Sequence, residues 1–190
     1  MRLGLAHHFG WAIAVTADDD HAVIDRRRIE LIVPGLPAAP IHHLGGPHEM
    51  HLDGPPIDDD ALADLVARVR ASVVRTASAS LDALGADLPS PITSMSLRAS
   101  PRGLPSDIAA LRRPPHESRA DGAMYLDVLA AIAHERGWEV HRFDATRVER
   151  EAAARLGVRT DDVLHGPRLR LGPPWTKDHR MALAATVVAR

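Results

Sequence analysis

The chain has 190 residues, 45% of them hydrophobic, 25% charged and 3% aromatic, with a formal net charge of −2. At roughly 150 residues per domain this is one globular domain spanning residues 1–190, and collagen-like, mucin-like and fully disordered classes are excluded. There are no cysteines, which excludes disulfide frameworks, thiolate zinc sites, iron–sulfur clusters and cysteine nucleophiles.

Arg2 to Ala6 is a short apolar strand, and His7 to Gly10 a turn. Trp11 to Thr16 is a second apolar, β-favouring run, and Asp18 to Asp20 a second turn. His21 to Val33 then alternates Ile29, Leu31 and Val33 with charge, so three strands form an antiparallel meander. Pro34 to Pro56 is rich in proline and glycine and reads as a long connection. Asp58 to Asp60 supply an N-cap and first-turn acids for a helix reaching about Leu84, with Gly85 as its stop. Ile92 to Leu97 is a buried strand, and Ser100 to Pro115 an irregular stretch. A helix from Glu117 to Arg136 is followed by the alternating strand Trp138 to Phe143 and a short helix from Thr146 to Leu156. Gly157 to Pro174 reads as irregular, and a last helix starts near Thr176. With the meagre aromatic content, Trp11 and Trp138 are expected in the core and Trp175 as a pin for the final helix.

No apolar run approaches the roughly 18 residues of a membrane span. The N-terminal apolar stretch is broken by His7, His8 and Gly10, short of a signal peptide, so a cytoplasmic location with no membrane partner is expected. The charge balance lacks the basic footprint of a dedicated nucleic-acid binder. Lys177 is the only lysine among many arginines, a bias that fits a GC-rich genome.

The order β-β-β-α-β-α-β-α resembles the ribonuclease H-like fold: α/β, with a mixed five-stranded sheet, flanking helices and a terminal helix beside the first strand. Two segments carry the resemblance further. The opening GLAHHFGWAIAV and the later VIDRRRIEL resemble the first hairpin of bacterial Holliday-junction resolvases and their relatives. The ending GPPWTKDHRMALAATVVA resembles their last helix, and also the tail of a group of uncharacterised bacterial proteins ending in a GPPW element. The resemblance implies a two-metal nuclease centre built on carboxylates, which hard Mg²⁺ requires. Its first acid, in a G-x-D pattern on strand one, falls on Ala6 or His7. Its second belongs at the end of the fourth strand or on the next helix, and the strand end, Ser94 to Arg98, holds no acid. Its last is matched by Asp178. Sugar-kinase and actin-like relatives of the fold need an Asp-bearing phosphate hairpin, and the hairpin here has none.

Several groups are candidates for chemistry, each with a plainer alternative. His7, His8 and Asp178, with Glu117 or Asp121, are candidates for a rearranged metal-dependent catalytic site. Alternatively, Asp178 complements a helix dipole, Glu117 and Asp121 are ordinary helix-start acids, and the histidines are one buried and one exposed turn residue. The run His42, His43, His48, Glu49 and His51 is a candidate zinc or nickel site, which needs three or four ligands converging at about 2 Å, or else a polar loop. Arg98, Arg102, Arg112, Arg113, Arg119 and Lys177 are candidate phosphate contacts to nucleic acid, or else a solvated patch. His116 and Ser118 are too close in sequence to be taken as a catalytic pair.

The leading expectation is a catalytically degenerate ribonuclease H-like domain that acts by binding, with a protein partner or a second copy of itself favoured. A divalent-metal nuclease using the His/Asp set is the first alternative. A Zn²⁺- or Ni²⁺-handling protein using the His42–His51 loop is the second.

Overall fold

Two tight turns convert the N-terminal apolar runs into a meander. In the computed structural model, which describes residues 1–45, 55 and 57–189, strands β1 (Arg2–His7), β2 (Trp11–Ala17) and β3 (Val23–Glu30) pair antiparallel. Gly10 takes φ +85° in the first turn, where a side chain would be strained. In the second turn the Asp18 carboxylate accepts the amides of Asp20 and Ala22 at 3.0 and 2.8 Å. That side chain does locally what a longer ladder would otherwise have to do.

After the long connection, which contains a five-residue π-helical turn at Ile41–Gly45, helix α1 runs Asp59–Ala86. Asp58 caps it, accepting from the Ala61 amide at 2.8 Å. Gly85 does not stop this helix as the sequence suggests. Leu81 and Leu84 are buried in the last turns, and their packing holds the helix through Gly85 at a propensity cost of about 1 kcal/mol. Strand β4 (Ser94–Arg98) starts later than the expected Ile92. A short helix α2 (Ile108–Leu111) interrupts the stretch expected to be irregular, and α3 (Glu117–Glu135) follows. Strand β5 (Glu139–Phe143) and helix α4 (Val148–Leu156) come next.

The segment expected to be irregular after Gly157 instead contains a 3₁₀ turn at Gly157–Arg159, a π turn at Asp161–His165 and helix α5 (Pro167–Leu171). Buried Val163 and Leu164 order it, and Pro167 sits at a helix start, where its missing N–H costs nothing. Helix α6 (Lys177–Val188) ends the fold.

The sheet order is β3-β2-β1-β4-β5, with β4 and β5 parallel to β1. This is the sheet that the resemblance to the ribonuclease H-like fold implies: a meander, then parallel strands added beside the first. Strand alternation separates two cores. Leu3 and Leu5 face the layer of α1 and α3, together with Met95, Leu97 and the fully buried Tyr125. Ala6, Ile13 and Val15 face the layer of α4 and α6, together with Trp175 and Leu183.

Helix α6 lies against β1 at backbone distance. A Cβ built at Gly4 would be 1.9 Å from the Ala182 carbonyl oxygen. On neighbouring β4, the buried Ser96 hydroxyl donates to the Ala185 carbonyl at 3.0 Å, filling the gap with a satisfied polar group. Trp11 and Trp138, both expected inside the core, are half-buried at the edges of the two layers. Trp11 is stacked on His8 with ring centroids 4.2 Å apart, and the Arg28 guanidinium lies 4.5 Å from its ring. Among the described residues, no helix is long and apolar enough to cross a membrane.

Candidate functional site

The carboxyl ends of β1 and β4, the first turns of α3 and the start of α6 meet at one edge of the molecule. Three devices set the start of α6. The Arg26 guanidinium on β3 donates to the carbonyls of Leu171 at 2.7 Å, Gly172 at 2.9 Å and Pro174. The Trp175 indole N–H donates to the Leu164 carbonyl at 2.9 Å. The Thr176 amide donates to His179 Nδ1 at 3.2 Å, and the Thr176 hydroxyl lies 2.8 Å from the same nitrogen. His179 is buried, and that burial, with Arg26 nearby, lowers its pKa below the ordinary histidine value. Its neutral ring therefore keeps Nδ1 free to accept, as a helix-capping box requires.

Asp178, in the first turn of α6, is thereby brought to the β1–β2 turn. Its Oδ2 lies 3.0 Å from His8 Nε2. This pair is partly exposed, with side-chain exposures of 42% for His8 and 27% for Asp178. His7, one residue earlier, points to the other face of the sheet. It is 8% exposed. Burial, followed by the charges of Arg98, His8 and Arg142, lowers its pKa from 6.5 to about 4. Its Nδ1 is buried and has no hydrogen-bond partner. At neutral pH it is an uncharged ring.

His7, His8 and Phe9 form one wall of a hollow of about 310 Å³. Arg98, the last residue of β4, and Pro101 beyond it form the second wall. Ser118, Arg119, Gly122 and Leu126 of α3 form the third. The hollow thus carries two guanidinium-bearing residues and no carboxylate. Arg142 on β5 adds a third cation nearby, its Nη1 donating to the Arg98 carbonyl at 3.3 Å.

The acids of α3 stand elsewhere. Asp121 is buried and accepts the amides of Ile41 and His42 at 3.3 and 2.9 Å, holding the π turn in place. Burial raises its pKa from 3.8 to about 7 despite those two bonds. Tyr125 beside it donates to the Ala38 carbonyl at 2.9 Å, and burial and Asp121 both push its pKa up. Glu117 is buried in the first turn of α3.

The remaining sequence candidates scatter. Arg112 donates to the carbonyls of Gly45 at 2.7 Å and Ile57 at 2.6 Å, and pairs with Asp59, so it ties the π turn within the long connection to the start of α1. Arg113 and His116 line a different, shallow depression. Arg102 and Lys177 are exposed, and the Arg102 carbonyl accepts from Arg119 at 3.3 Å. His42 and His43 sit in the π turn with rings 5.3 Å apart, while His48, Glu49 and His51 lie outside the described residues.

A two-metal centre does not fit these donors. The β1 side chain that shares the α6 face is Ala6, because His7 alternates to the α3 face. Strand β4 supplies no acid in Ser94–Arg98. Among the described residues, no group of three or more His, Asp or Glu side chains is placed to hold a metal ion.

Sequence reasoning did not single out Phe9, Pro101, Gly122, Leu126 or Arg142. The one available signal was a glycine at position 122, in the second turn of the expected helix, which opposes the helical pattern around it.

No protein-family model and no curated protein matches the chain. Among solved structures, it is similar to T. thermophilus RuvC in complex with Holliday junction substrate, at 14% identity and a TM-score of 0.48, over 98% of this chain and 89% of that one. It is also similar to a Thermus thermophilus RuvC structure, at 14% identity and a TM-score of 0.45, over 98% of this chain and 90% of that one.

Proposed function

We propose that this chain is a single ribonuclease H-like domain that works by binding rather than by metal-dependent cleavage. The observation that carries this reading is the pairing at the α6 start. The strand position facing α6 holds Ala6, and Asp178 has His8 as its partner at 3.0 Å. A phosphodiester nuclease of the two-metal kind needs several oxygen ligands around one point. The arrangement here offers one carboxylate and an imidazole. The same edge carries a positive, partly apolar hollow, which is the ordinary form of a binding site.

The test is cleavage of branched DNA and RNA–DNA hybrids by the tag-free chain with Mg²⁺ or Mn²⁺. The expected result is no cleavage above that of an Asp178→Asn preparation. Cleavage by the natural chain that the Asp178→Asn form lacks would overturn the reading.

One observation favours a second reading, a nuclease with a rearranged site: His8 and Asp178 are within hydrogen-bond distance. Its signature is an Mn²⁺-dependent rise in melting temperature after EDTA treatment that is lost in both Asp178→Asn and His8→Ala.

A further inference from the structure

We infer that the hollow between the ends of β1 and β4 and the first turns of α3 binds a small organic anion. Its single phosphate or carboxylate head sits on Arg98 and Arg119, and its ring body lies over Gly122 against Phe9 and Leu126. This deepens the binding reading and rests on it in one respect: the site takes a ligand in place of metal ions.

Four observations converge. The first is charge. Arg98 and Arg119 line the hollow, and neither has a carboxylate within ion-pair distance among the described residues. Arg98 Nη2 lies 4.0 Å from Met181 Sδ and Arg119 Nη2 donates to the Arg102 carbonyl at 3.3 Å, whereas Arg27 pairs with Asp25 and Asp87, Arg112 with Asp59, and Arg136 with Asp82. Planar guanidinium groups suit phosphate and carboxylate, which accept two parallel bonds.

The second is His7. Its ring borders the hollow, is more than nine-tenths buried, and leaves Nδ1 without a hydrogen-bond partner. Buried polar atoms are nearly always satisfied, so a ligand that reorients this ring and gives Nδ1 a partner removes an anomaly.

The third is Gly122. Glycine inside a helix is unfavourable, and it is usually explained by a crowded neighbour. None exists here. A Cβ at Gly122 would meet only the Phe9 ring, at an ordinary 3.8 Å. The effect of the glycine is to leave space in the hollow above it.

The fourth is size and rim. About 310 Å³ is at the lower end of small-molecule sites and suits a body of one or two rings. Phe9 is 37% exposed and supplies an aromatic surface for such a body. At the rim, Asp178 stands beside His8, and the chain as a whole carries −2, which opposes a polyanion but not a single anionic head.

The experiment is isothermal titration of the tag-free full chain, in EDTA, with phenyl phosphate, 1-naphthyl phosphate, 2-naphthoate and adenosine 5′-monophosphate. The controls are inorganic phosphate, 1-naphthol and a single-stranded dT oligomer. At least one ring-bearing anion should bind at least ten-fold more tightly than both inorganic phosphate and 1-naphthol. Arg98→Ala and Gly122→Leu should each weaken that binding ten-fold or more, with the melting temperature of Gly122→Leu no lower than that of the natural chain.

No binding of any ring-bearing anion at 1 mM overturns the inference, as does binding that both variants retain, or binding of the dT oligomer alone. Repeating the titration with Mn²⁺ separates the two readings. Anion binding that appears only with the metal refutes the metal-free site. Absent anion binding combined with absent cleavage refutes the ligand and leaves the non-catalytic reading standing.

Discussion

Gly4 and Gly122 both lie inside regular elements, and they answer to different neighbours. At Gly4 any side chain would be driven into the Ala182 carbonyl, at 1.9 Å, and backbone cannot step aside as a flexible side chain can. Gly4→Ala is therefore expected to lose about 2–3 kcal/mol in urea denaturation, the usual scale of an overpacked core. His7 and Asp121 make an opposed pair at the same scale. The folded-state pKa of His7 is about 4 against 6.5 unfolded, so its contribution to stability is present above pH 6.5 and lost as pH falls toward 4. Asp121 is raised to about 7 from 3.8, so its contribution is present below pH 3.8 and lost as pH rises through 7. Between pH 4 and 6.5 the two slopes oppose each other, and the natural chain should show a shallow stability profile. His7→Gln should become less stable as pH rises through this window, and Asp121→Asn more stable, each by up to roughly 3 kcal/mol. Denaturation midpoints measured from pH 4 to 7.5 check both signs.

At the scale of elements, α3 does two jobs that its sequence pattern does not distinguish. One face packs Leu129, Ile132 and Tyr125 into the core beneath the sheet. Its first turns carry Asp121 to the π turn and Arg119 and Gly122 to the hollow. The helical period identifies the first job because apolar side chains recur on one face. It is silent on the second, since which turns meet the strand ends depends on where the helix docks. Gly122→Ala should raise stability by up to about 1 kcal/mol, because the new methyl meets nothing closer than 3.8 Å and helix propensity improves. A loss of stability in thermal or urea unfolding would show that the glycine serves packing after all. In α6, by contrast, Asp178 was legible as a first-turn acid, but its partner was not: His8 lies 170 positions away in sequence.

For the whole molecule, one sheet joins two separate apolar layers. Trp138 packs at the edge of the α1/α3 layer, and Trp175 is buried in the α4/α6 layer. Both layers bury the same strands from opposite sides, so removing either exposes the other's floor. Single-tryptophan variants that retain only Trp138 or only Trp175 are expected to report coincident urea midpoints, and both to coincide with the loss of far-ultraviolet dichroism. Separate midpoints would show that the layers unfold independently. The same architecture explains how a chain with 3% aromatic residues keeps a core. Small side chains such as Ala182, Ala184 and Ala185 let α6 approach the sheet at backbone distance, replacing bulk by proximity.

The strands, the major helices and their order were legible in the sequence, because period-2 and helical apolar patterns, a capping aspartate and turn residues act over short distances. So was the absence of an acid in Ser94–Arg98, which needs no structure to see. The tertiary structure alone decided that Ala6, not His7, shares the α6 face, since that depends on which way the strand's alternation falls. It also decided that Asp121 holds a turn, that Arg112 ties that turn to the start of α1, and that His7 and Gly122 border one hollow. Each of these is a contact between residues distant in the chain. Local pattern constrains which elements form; only their docking determines which side chains meet.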